Sequence, residues 1–193
     1  MPNWSNTAYV VEGDAKEVQS LYDLMQELQD MEKPTIENGF GTTWLGCLVD
    51  ALGEDWENVD CRGSWNGLEL VGDILKFNTE TAWSPCDETL ELILKKFPSL
   101  RYYYRTEEPG MVIYETNDSE GKYFPERYVL NVLTPEKEYF NEYFEELKNV
   151  FEWMEEEFKQ PIASLTDIDR LVEKWEKQYD GAICCLNKFE VVY

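Results

Sequence analysis

The chain of 193 residues carries 40 acidic side chains against 17 basic ones, a net charge of −23, and 15% of it is aromatic. That charge opposes the phosphate backbone and anionic membrane surfaces, so direct nucleic-acid or membrane binding is not expected. The aromatic content is that of a chain with a core to bury, and no apolar run approaches the length of a membrane span.

In chain order, residues 7–12 predict a strand ended by Gly13. Asp14, with Glu17 three residues on, predicts a capped helix whose stripe is Val18, Leu21, Leu24, Met25, Leu28 and Met31. A short helix is expected over about residues 42–52, around Trp44, Leu48 and Leu52. Trp65–Val71 and Ile74–Thr79 read as strands joined by Gly72-Asp73, a pair suited to a tight turn with positive φ at its first position. Ser84-Pro85 predicts the start of a helix, with Asp87 and Glu88 in its first turn and Leu90, Ile93, Leu94 and Phe97 facing inward.

Leu100–Arg105 then alternates as a strand. Glu108-Pro109-Gly110 turns the chain into a second strand over Met111–Glu115, and Tyr128–Leu133 reads as another. The order β-α-β-β-α-β predicts an α+β fold of the ferredoxin-like kind: one antiparallel sheet, helices on one face, extra antiparallel strands. This domain is expected to span residues 1–133. Residues 134–193 predict a helical extension packed on it. One helix opens at Thr134-Pro135 and carries Phe140, Tyr143, Phe144, Leu147, Phe151, Met154 and Phe158. A second carries Ile168, Leu171, Val172 and Trp175, and strand material follows at Ala182–Leu186 and Phe189–Tyr193.

Pro2-Asn3-Trp4, Gly63-Ser64-Trp65, Thr81-Ala82-Trp83-Ser84-Pro85, Phe97-Pro98 and Glu108-Pro109-Gly110-Met111 follow one another in an order that resembles the YubB-like family of bacterial, plasmid-borne and phage-borne proteins. The resemblance covers roughly residues 1–125. It implies a ferredoxin-like domain and a link to mobile elements, and it brings no catalytic residue. Ser5 and Cys86 depart from the family, which commonly has cysteine and proline at those places.

Histidine is absent, which removes the usual general base, the commonest metal ligand and any Ser-His or Cys-His nucleophile pair. The five cysteines, Cys47, Cys61, Cys86, Cys184 and Cys185, form no Cys-x-x-Cys and read as buried thiols of a reducing compartment. With no basic and apolar leader at the start, a cytoplasmic protein is expected. Thr116–Gly121 fails as a calcium loop, because Thr116 and Arg127 would stand where Asp and a bidentate Glu are needed. No cofactor or metal site is expected.

The candidate ligand-binding residues are Trp65, Trp83 and Glu108, at the end of the predicted sheet. The leading expectation is a non-enzymatic, acidic accessory protein that binds a basic or nucleic-acid-binding partner, imitating nucleic acid. Residues 1–60 hold 13 acidic and 2 basic side chains and would supply that surface. The alternatives are a small-ligand binder or carboxylate-based enzyme with a pocket near Trp65 and Trp83, and a homodimer built through the C-terminal helices.

Overall fold

The computed structural model describes residues 3–192. Met1, Pro2 and Tyr193 lie outside the described residues, and with them the first residue of the Pro2-Asn3-Trp4 motif and the end of the expected strand Phe189–Tyr193. The protein is mixed α+β and divides into two units, one ending at Asp118 and the other running from Ser119 to Val192.

The first unit opens with β1 (Trp4–Glu12), three residues earlier than the sequence suggests, and Gly13 leads into α1 (Ala15–Gln29). Asp14 caps α1 by accepting the Lys16 N–H at 3.0 Å. Val18, Leu21, Met25 and Leu28 are buried at helical spacing, while Met31 lies beyond the helix and is exposed. The short helix α2 (Leu45–Ala51) and a 3-10 turn at Trp56–Asn58 precede the hairpin of β2 (Gly63–Val71) and β3 (Ile74–Ala82). Gly72 closes that hairpin at φ +61°, the conformation its turn requires. α3 (Asp87–Lys96), β4 (Arg101–Glu108) and β5 (Ile113–Thr116) follow. Within this unit the strands lie in the order β2-β3-β1-β4-β5, every neighbour antiparallel.

The inward face of this sheet changes character along its length. Val11, Leu75, Tyr9 and Phe77 are buried towards one end, and Ser5, Thr7, Thr79, Thr81 and Thr106 towards the other. Three of these hydroxyls satisfy one another: Thr106 Oγ1 lies 2.9 Å from Ser5 Oγ and 2.7 Å from Thr7 Oγ1.

Two local expectations are corrected. α3 begins at Asp87, not at Ser84-Pro85, and Cys86 at its N-cap makes no side-chain cap. The helix start is instead tied to the preceding loop: Glu88 accepts the Asp60 N–H at 2.6 Å, and the Thr89 hydroxyl donates to the Asp60 carbonyl at 2.7 Å. The single helix expected from Thr134-Pro135 to Phe158 is a strand, β7 (Tyr139–Phe144), followed by helix α4 (Leu147–Phe158). Phe140 and Phe144 are four residues apart, a spacing that shares a face in a helix and in a strand alike. β6 (Tyr128–Leu133) decides between them by pairing with β7 from Tyr128↔Phe144 to Leu133↔Tyr139.

The second unit is accordingly not a helical extension. Its sheet runs β7-β6-β8, with β8 at Ile183–Lys188, and α5 (Leu165–Gln178) follows α4 in the chain. A two-residue strand, β9 (Glu190–Val191), ends the described chain. Leu130, Val132, Phe144, Val150, Met154, Ile168 and Leu171 form its core. Because β6 is the central strand of this sheet, the division falls between Asp118 and Ser119 and not at residue 133. The vicinal pair separates as a strand dictates, Cys184 buried and Cys185 exposed.

Candidate functional site

The structure gives the three predicted site residues different surroundings. Trp65 is 1% exposed, inside the first unit, opposite Thr79 in the β2–β3 ladder. Its indole N–H and the Thr79 hydroxyl are buried without a hydrogen-bond partner among the described residues. Trp83, in contrast, is 44% exposed. Glu108 is 2% exposed, and its carboxylate accepts the N–H groups of Gly110 at 2.9 Å and Met111 at 2.5 Å. Glu108 therefore shapes the tip of the β4–β5 hairpin from within.

That tip belongs to an apolar group at one end of the sheet. Asn3 joins its parts: its carbonyl accepts the Trp83 N–H at 2.9 Å, and its side chain abuts Gly110 so closely that a Cβ there would lie 2.5 Å from Nδ2. Trp4, Trp83, Met111 and Val112 are all exposed here. Trp83 and Val112 also hold left-handed backbone, φ +76° and +58°. Such a conformation costs a bulky or β-branched residue about 1–3 kcal/mol and is concentrated at functional positions.

Beside this group, at the start of β2, lies a recess of about 510 Å³ that sequence reasoning did not locate. Trp44, Trp56, Val59 and Cys61 supply its apolar lining, and Glu57, Asp60, Arg62 and Glu88 its charged groups. The two indoles meet edge to face with centroids 5.2 Å apart, and Phe40 stacks on Trp44 at 6.3 Å. Trp56 sits on the 3-10 turn, which Asp55 caps by accepting the Glu57 N–H at 3.0 Å. The turn is further strapped by the Cys61 thiol donating to the Trp56 carbonyl at 3.6 Å. The one local sign in the sequence is Gly46, a glycine inside a short helix two residues after a tryptophan.

The electrostatics of this region hold its thiols in the neutral form. Burial, with Asp60 second, pushes the Cys61 thiol up to about 11, and the same two causes raise Cys86 further. A thiol held in its neutral form is a poor nucleophile. Asp87 is raised by burial first, then by Glu91 and Asp60. Among the described residues no three Cys, Asp or Glu side chains converge to hold a metal ion, and no helix is long and apolar enough to cross a membrane. In comparisons with known proteins the chain matches no family model, no curated protein and no solved structure.

Proposed function

We propose that the protein acts by binding rather than by catalysis, and that its partner is a basic protein of the nucleic-acid-binding class. The observation that carries this reading is the gathering of Trp4, Trp83, Met111 and Val112, exposed at one end of a sheet, in a chain of net charge −23. Apolar anchors of this kind are what an interface desolvates at its centre, and tryptophan is prominent among them. The acid excess steers and selects a basic surface, and one built to meet phosphates suits a carboxylate-rich face. A cytoplasmic setting, a mobile-element origin and membership of the YubB-like family belong to the same proposal, the last supported by the ordered motifs of residues 1–125. The finer fold reading is a ferredoxin-like sandwich, which the β2-β3-β1-β4 order supports, with α1 and α3 in the two crossover places.

The test is capture from a nuclease-treated bacterial lysate across a salt series, comparing the wild type with Trp83→Asn and Val112→Asn. Asparagine tolerates positive φ, so both variants remove apolar surface without disturbing the backbone. A basic protein retained at low salt, released as salt rises, and lost from both variants is the expected result. Retention that is indifferent to salt and to both substitutions would overturn the proposal.

A further inference from the structure

We infer that the recess of Trp44 and Trp56 is a receptor for an arginine side chain. The inference deepens the basic-partner reading, on which its biological occupant rests, although the chemistry of the recess can be tested without that partner.

Three features of the recess point to a guanidinium. The first is its aromatic floor. Trp44 is buried, and Trp56, set at 68° to it and lining the recess, is only partly covered, which leaves aromatic surface that a flat cation could meet. The second is its charge, since three carboxylates (Glu57, Asp60 and Glu88) stand against the single cation Arg62. The third is order. Glu88 is anchored by the Asp60 N–H at 2.6 Å, and the Asp60 backbone is held again by the Thr89 hydroxyl at 2.7 Å.

A planar group that stacks on an indole while forking to a carboxylate is what this arrangement accommodates. Arginine has that shape, whereas the compact, strongly hydrated ammonium of lysine lacks the planar fork. A recess of about 510 Å³ is ample for one such side chain and its neighbouring peptide groups. Phe40 lies outside the lining and touches the recess only through Trp44. It is exposed, stacks on Trp44, and stands between Gly39 and Gly41, both at positive φ with open space around them.

The experiment titrates an acetylated, amidated Gly-Arg-Gly peptide into the ¹⁵N-labelled full chain and follows the indole N–H resonances. Two control peptides replace arginine by citrulline, which keeps the shape without the charge, and by lysine. Trp56 is assigned by the resonance that disappears in Trp56→Phe. The expected result is a saturable shift of the Trp56 resonance with the arginine peptide and binding about tenfold weaker with citrulline. Glu57→Gln, at an exposed position, weakens binding about two- to threefold, and Arg62→Gln tightens it. An unmoved Trp56, equal binding of citrulline, or lysine binding as tightly as arginine would each sink the inference. Should the peptide fail while lysate capture persists, the receptor is wrong and the basic-partner reading stands. Should the peptide bind while no basic protein is captured, the receptor stands and that reading fails.

Discussion

Gly46 lies under the indole of Trp44, so close that a Cβ at Gly46 would come within 2.3 Å of Cη2 and Cζ3. A glycine inside a helix is ordinarily a cost of about 1 kcal/mol against alanine, so its presence in α2 is explained by the ring it admits. Replacing it with alanine forces the buried ring to move. Gly46→Ala is expected to destabilise the protein by about 1–2 kcal/mol, the overpacking penalty outweighing the helix-propensity gain. Urea unfolding measures this, and an unchanged or raised midpoint would contradict the packing described.

Val112 and Trp83 trade stability for surface. Each holds positive φ while exposed at the sheet end. Val112→Asn is therefore expected to raise stability by up to about 1 kcal/mol even as it removes part of the proposed docking surface. A thermal melt checks the sign, and a destabilised variant would show that the left-handed backbone carries no strain.

The hairpin of β6 and β7 gives a contrast within six residues. Phe144 is 9% exposed and packs in the core of the second unit, whereas Tyr139 on the same strand is 59% exposed. Phe144→Ala is expected to cost about 3–5 kcal/mol and Tyr139→Ala less than about 1 kcal/mol. Comparable losses from both would mean that the strand is wrongly placed.

Thiol burial sets the alkaline behaviour. Burial raises Cys61 to about 11 and Cys184 to about 12, above an unfolded thiol at about 8.5. Between these values the native state keeps protons that the unfolded chain has lost, so stability is full below about pH 8.5 and falls as pH rises through 11. Denaturation midpoints at pH 8 and pH 10.5 are expected to differ in that direction, and Cys61→Ala to reduce the difference. At pH 8 a thiol reagent is expected to modify Cys185 quickly and the four buried cysteines only after unfolding.

Much of the first unit was legible because its signals are local. Asp14 before an apolar stripe, and Gly72 between two alternating runs, each specify one backbone geometry within a few residues. The strand β7 was not legible, because Phe140 and Phe144 suit a helix and a strand equally, and only hydrogen bonding to β6 chooses between them. The same pairing assigns β6 to the second unit and so moves the boundary ahead of residue 133.

Composition alone determined the net charge, the absence of histidine and the chemistry that absence removes. Tertiary structure decided which aromatics are buried and which are displayed. Trp65 and Trp83 look alike along the chain, yet one faces the interior and the other leaves the sheet at a left-handed residue. Trp44 and Trp56, twelve positions apart, meet only because Gly46 lets one ring lie flat and a capped turn brings the other to it. Such convergence depends on close packing between distant segments, which no periodicity in the sequence encodes.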